Sequence, residues 1–132
     1  MSSRKLPIPD PVTDPFWKAC QEERFVAQAC EDCRSYRWPP SPVCPRCRSL
    51  QSCWQDLDGR GTIWTFTTVH HAFHPSLADE LPYVVGLIDL DEGLRIVGRI
   101  EPEGREVAIG ARVRVRFREV EGRKLPYFGL EG

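Results

Sequence analysis

At 132 residues the chain is one small domain or two very small units sharing a surface. Hydrophobic residues make up 41% and charged residues 28%, enough for a modest core, and no run approaches the roughly 18 apolar residues of a membrane-spanning helix. Lys and Arg number 18 against 19 Asp and Glu, so the net charge of −1 excludes a global polycation built for nucleic acid. The 10 glycines and 12 prolines are too many for a helical bundle and too few for disorder.

The opening Met-Ser-Ser-Arg-Lys-Leu-Pro runs into prolines rather than an apolar stretch, which predicts a cytoplasmic setting. There, six cysteines point to metal or reactive thiols before disulfides. Pro7, Pro9, Pro11 and Pro15 forbid a helix over residues 1–15 and predict an extended arm. Asp14 reads as an N-cap with Pro15 at the first helical position. The helix then runs to about Glu23, with Phe16, Trp17 and Cys20 as an apolar stripe. Eight residues cannot hold a helix alone, so it must lean on something.

Arg24 to Ala29 reads as a short strand, and Cys53-Trp54 begins an exit strand. Between them stand Cys30-Glu31-Asp32-Cys33 and Cys44-Pro45-Arg46-Cys47. Two residues between thiolates let one tight turn present both sulfurs to one metal, and two such turns complete a tetrahedron. Zinc is the default occupant, with iron in a rubredoxin-like site as the minor alternative and chance proximity of ordinary cysteines, or two disulfides, as the bland one. Four thiolates leave no open position, so the role is structural. Tight cysteine knuckles often carry glycine after the second cysteine; here Arg34 and Arg48 stand there. Each turn must therefore adopt a less relaxed backbone, and both cations are placed to offset the −2 of a four-thiolate zinc site. Cys20 reads as a buried small hydrophobe and Cys53 as a bystander.

From residue 60 onward the pattern is β. Strands are expected over Thr62 to Val69, Tyr83 to Leu90, Leu94 to Ile100 and Arg112 to Val120. Asp91-Glu92-Gly93 is a tight turn, Val107 to Ile109 leads into the fourth strand, and Tyr127-Phe128 supplies a last short one. Five short strands with glycine turns suit a small barrel. His70, His71 and His74 lie in the first connection. His70 and His71 would point opposite ways and no acidic partner is spaced to serve them, so an ordinary loop is expected. Arg112, Arg114, Arg116 and Arg118 alternate with Val113, Val115 and Phe117, which puts all four arginines on one face. Residues 112–124 hold six cationic and two acidic side chains, whereas 77–94 hold five acidic ones and no Lys or Arg. Either the two zones pair across strands, or the arginines face a phosphate or a partner.

This order of features resembles the zinc-ribbon/OB-fold proteins once called domain of unknown function 35, associated with acyl-coenzyme A metabolism. The resemblance rests on Pro15-Phe16-Trp17, Arg24-Phe25, the two cysteine pairs, Trp54, Gly59 to Thr67, Pro82-Tyr83, Leu87 to Gly93, Ile109-Gly110 and Leu125 to Phe128. The missing knuckle glycines are its main departure. It implies a mainly β chain: arm, short helix and rubredoxin-like zinc ribbon over 1–57, then a five-stranded OB-fold barrel over 58–132. It implies structural zinc on Cys30, Cys33, Cys44 and Cys47. It further implies a non-catalytic accessory subunit of a thiolase-like enzyme or aldolase, or of a MaoC-like enoyl-CoA hydratase, in lipid or sterol breakdown. Acyl-CoA would be held directly or shared with the partner, in a hetero-oligomer. Phe16, Trp17, Tyr36 and Trp38 become the partner-contact candidates, because aromatic anchors suit interfaces. Local packing against the ribbon is the competing use for each. The alternative function is a single-stranded nucleic-acid-binding OB protein, with Trp64, Phe66 and the arginine strand as its groove. Trp64 and Phe66 share a parity that turns both toward the core, which weighs against it.

Overall fold

The computed structural model describes residues 6–8 and 10–131; the expected arm's residues 1–5 and Pro9 lie outside the described residues. Asp10 organises the entry to the first element. Its Oδ1 accepts from the backbone N–H groups of Val12 and Thr13, both at 2.9 Å, and its own N–H donates to Thr13 Oγ1. Helix α1 (Asp14–Gln21) follows with Thr13 as N-cap, one residue earlier than Asp14, and it stops at Gln21 rather than Glu23. Thr13 makes no side-chain cap, since its Oγ1 accepts the Asp10 N–H, and Asp14 instead pairs with Lys18 at 3.0 Å. One face of α1 buries Phe16, Ala19 and Cys20. Gln21 at its end exchanges two hydrogen bonds with the backbone of Lys124, each at 3.0 Å. That docking supplies the support an eight-residue helix lacks by itself.

Three strands follow: β1 (Phe25–Cys30), β2 (Tyr36–Arg37) and β3 (Ser52–Leu57). They form an antiparallel sheet with β1 in the middle. Every residue of β1 is buried. Its one polar member, Gln28, donates to Ser52 Oγ at 3.0 Å and accepts from the Ser41 N–H at 2.8 Å, so no amide atom is wasted.

The second body is a closed barrel of β4 (Arg60–Val69), β5 (Tyr83–Leu90), β6 (Arg95–Glu101), β7 (Arg112–Val120) and β8 (Arg123–Leu130), in the order β4-β5-β6-β8-β7. This is the OB-fold arrangement. β4 closes on β7 at Arg60 to Thr62, and β8 runs parallel to β6 at Ile100–Phe128 and Glu101–Gly129. The turn at 91–93 forms as expected, with Gly93 at φ +101 donating to Leu90 O at 2.9 Å.

Two departures matter. β8 has eight residues, not the short Tyr127-Phe128 segment expected. Pro126 and the preceding Glu121-Gly122 turn hide the strand from a reading of alternation. Pro126 is tolerated because only β7 flanks the strand there; β6 reaches only Phe128 and Gly129. Residues 75–80 form a 3-10 helix capped by His74, whose Nδ1 accepts from the Ser76 N–H at 3.1 Å.

A single cluster of buried residues runs through both bodies. It joins Phe16, Cys20, Phe25 and Val26 to Ile63, Ile88, Ile100, Val113 and Phe128. The Phe25 and Phe128 rings meet edge to face at 5.9 Å. Gly98 makes room for Phe128: a Cβ there would stand 2.7 Å from its ring. Among the described residues no helix is long and apolar enough to cross a membrane.

Candidate metal centre

The two Cys-x-x-Cys turns hang from the sheet and fold alike. In each, the N–H after the second cysteine returns to the carbonyl of the first, Arg34 to Cys30 at 3.0 Å and Arg48 to Cys44 at 2.9 Å. The first cysteine's N–H donates to the carbonyl five residues on, at Ser35 and at Ser49. The second cysteine's N–H points at the first sulfur, 3.4 Å away in both. Arg34 and Arg48 each take φ +64, the left-handed conformation that glycine would occupy more easily. The expectation of a less relaxed backbone is met at both positions. Replacing Arg34 and Arg48 by glycine should therefore stabilise the chain. Relief of about 1–2 kcal/mol of steric cost per residue outweighs roughly 0.5–1 kcal/mol of added chain entropy. A higher thermal midpoint for the double variant checks this.

All four sulfurs lie within 4.8 Å of one another. Cys30 Sγ is 3.5 Å from Cys47 Sγ, and Cys33 Sγ is 3.6 Å from Cys44 Sγ. A tetrahedron with metal–sulfur bonds of about 2.3 Å places its sulfurs about 3.8 Å apart, so the donor set fits zinc. As bare thiols the four are unequal. The Cys47 and Arg46 N–H groups draw Cys44 down to about 5 against its burial, and those of Cys33 and Asp32 draw Cys30 down to about 7. The Ser49 backbone pulls Cys47 the same way. Burial and the Cys30, Cys33 and Cys44 sulfurs outweigh it, and Cys47 is pushed up to about 12. Four sulfurs at this spacing cannot all ionise without a cation among them.

The cation placement differs from the sequence expectation. Arg34 and Arg48 are both exposed. The buried cation is Arg37 on β2, 1% exposed. Burial opposes its charge, but the nearby Cys30 and Cys44 thiolates raise it above the ordinary arginine value. Reading Tyr36-Arg37-Trp38 for its aromatics passed over this residue. No sequence signal singles it out, because tertiary contacts alone enclose this arginine. Cys20 is fully buried, and burial pushes its thiol up to about 12, as suits an inert core residue.

The aromatic candidates divide. Phe16 is 5% exposed and packs on Trp17, Phe25 and Trp38, with centroids at 4.9, 5.8 and 5.3 Å. It belongs to the core and offers no face to a partner. Trp17, Tyr36 and Trp38 are half-buried against that core and keep an outer edge.

The arginine strand forms with the expected alternation: all four arginines are exposed and Val113 is fully buried. Arg112 forks onto Asp91 with bonds of 2.8 and 2.7 Å and holds that carboxyl below the usual range. Arg116 pairs with Glu103 at 2.6 Å and Arg118 with Glu101 at 3.0 Å. One partner comes from the acidic stretch at 77–94 and two from the far end of β6 and its following loop. Arg114 has no ion pair among the described residues. The histidines gather no metal-binding group among the described residues; His71 stacks edge-on against Phe73 and His74 caps the 3-10 helix.

Comparison with known proteins follows this division. Residues 17–51 match the model for "ChsH2, rubredoxin-like zinc ribbon domain" and residues 54–118 that for "ChsH2, C-terminal OB-fold domain". A DUF35 domain-containing scaffold protein of Methanocaldococcus jannaschii is 32% identical over 110 residues, which is 80% of this chain and 76% of that one. A probable enoyl-CoA hydratase alpha subunit of Thermomonospora curvata is 40% identical over 83 residues, 62% of this chain. The match spans only 25% of that subunit's length. Among solved structures, a chain of the Ltp2-ChsH2(DUF35) aldolase superposes with a TM-score of 0.81 at 31% identity, covering 95% of this chain and 98% of that one.

Proposed function

The chain belongs to the DUF35 family of zinc-ribbon and OB-fold proteins, and on that footing we propose that it is a non-catalytic accessory subunit of an acyl-CoA-processing enzyme. The partner is a thiolase-fold enzyme or aldolase, or a MaoC-like enoyl-CoA hydratase, and the working form is a cytoplasmic hetero-oligomer. The observation that carries this reading is the end-to-end likeness to a chain of the Ltp2-ChsH2(DUF35) aldolase. The hydratase alpha subunit of T. curvata supports the second partner class.

Chemically, the chain contributes shape. Zinc at Cys30, Cys33, Cys44 and Cys47 supplies charge neutralisation and cross-links the ribbon. With all four positions taken by sulfur, it keeps no place for substrate. The ribbon and α1 present Trp17, Tyr36 and Trp38, and these outer edges are the proposed enzyme contact. Acyl-CoA is bound by the assembly. Arg114 is the barrel cation best placed to reach an anionic group, since its three neighbours on the strand are already paired.

A second reading has one observation in its favour. A β-bulge between Ile63 and Thr65 turns Trp64 outward, half-exposed, with the Arg95 guanidinium 4.0 Å above its ring. Phe66 stays against the core. An exposed, cation-covered indole is the kind of platform on which a nucleic-acid base stacks. Arg95, however, is bound to Asp89 at 2.6 Å. Co-purification from the native source separates the two. The accessory reading expects a thiolase-like or hydratase-like subunit in stoichiometric amount. Recovery of the solitary chain, with salt-sensitive binding of a single-stranded oligonucleotide, would replace it by the second.

A further inference from the structure

Arg37 leads the fully buried side chains in volume, and no carboxylate among the described residues pairs with it. Its Nη1 donates to Ser41 O at 3.3 Å, and its Nη2 to Ser49 O at 3.0 Å and Gln51 O at 2.8 Å. Its Nε is buried without a hydrogen-bond partner among the described residues. Carbonyl groups satisfy N–H bonds but do not cancel a full charge, and a cation held away from water needs an anion nearby. The anions that meet this need are the thiolates of the two knuckles, whose backbone N–H groups share Arg37's carbonyl acceptors.

The placement is two-sided. Ser49 O also accepts the Cys44 N–H, and Gln51 O also accepts the Glu31 N–H. Arg37 thus shares a carbonyl acceptor with a backbone N–H of each knuckle, which holds its buried charge next to both cysteine turns. Four thiolates around a divalent ion carry a net −2, set partly inside the protein where charges are screened little. Arg34 and Arg48 sit in water and neutralise little of it.

We infer that Arg37 is the internal countercation of the four-thiolate metal centre, a positioning residue whose charge sets how tightly the metal is held. This rests on the reading of the four cysteines as a zinc site.

The test is competition between the full-length chain and a chromophoric chelator for Zn2+, with wild type, Arg37→Gln and Arg37→Lys. Arg37→Gln keeps donors for the carbonyls but not the charge, and should weaken zinc binding by about 10–100-fold. Arg37→Lys keeps the charge and loses the planar fork, and should stay within about fivefold of wild type. Repeating Arg37→Gln in a Cys47→His background gives a readout that a hydrogen-bonding brace would not move. The Cys3His centre carries one negative charge fewer, so the penalty should shrink to about threefold or less. An Arg37→Gln chain that binds zinc within about twofold of wild type, or an equal penalty in both backgrounds, overturns the inference. Should Arg37→Gln fail to fold in excess zinc, the double variant is expected to fold. A double variant that stays unfolded while Cys47→His alone folds also overturns it. A wild-type chain holding less than about half an equivalent of zinc would instead strike the metal site itself.

Discussion

Replacement of Cys44 by serine is expected to abolish metal binding and unfold the ribbon. Cys44 is fully buried, its sulfur lies 3.6 Å from that of Cys33, and it receives the N–H groups of Arg46 and Cys47 at 3.4 Å. Structural zinc contributes on the order of 10–16 kcal/mol of apparent binding free energy at neutral pH, and in so small a unit that is folding free energy. A serine hydroxyl does not ionise near neutral pH, so the fourth ligand is lost. Wild type should carry about one zinc per chain and Cys44→Ser less than about half. Cys20→Ser and Cys53→Ser should leave the metal content unchanged. A Cys44→Ser protein with full zinc and an unshifted thermal midpoint would remove the structural role given to the site.

Phe25→Ala should cost about 3–5 kcal/mol, the range for deleting a large buried aromatic. Phe25 is 4% exposed and touches Phe16, Trp38 and Phe128, at 5.8, 6.2 and 5.9 Å between centroids. It is the ring through which the sheet meets the barrel. A domain of this size is stable by only about 5–15 kcal/mol, so the loss takes much of the margin. Because the cluster is continuous, denaturant should release the metal and expose the barrel in one transition, and Phe25→Ala should move both together. If only the metal-release transition moved, the two bodies would be melting separately.

How much of this was legible in the sequence depends on what kind of signal each feature leaves. The cysteine quartet was fully legible, since two Cys-x-x-Cys turns leave few geometries open. Tyr83–Leu90 and Arg112–Val120 were read to the residue, because strict alternation survives when one face is buried. Trp64 was misplaced by parity counting. A bulge adds one residue to one strand and reverses every inference drawn across it, and Ile63-Trp64-Thr65 carries no glycine or proline to announce it. β8 was cut short for the opposite reason: Pro126 interrupts its alternation, and only the pairing pattern shows that its missing N–H costs nothing there. Phe16 and Arg37 were beyond sequence reasoning. An aromatic on a short helix suits a core or an interface equally well, and an arginine is presumed to reach water until tertiary contacts enclose it.

β8 has a bearing on the order in which the molecule assembles. It stands between β6 and β7, its backbone at Lys124 holds the end of α1, and its Phe128 meets Phe25. The ribbon can close early, since its pairings lie within 25–57. The barrel cannot seal, and α1 cannot settle, until a strand more than twenty residues beyond β6 has threaded alongside it. Long-range pairings of this kind are slow to form. The last strand is therefore the keystone of the fold. A nascent chain that has loaded its zinc still exposes an apolar seam until that strand locks in.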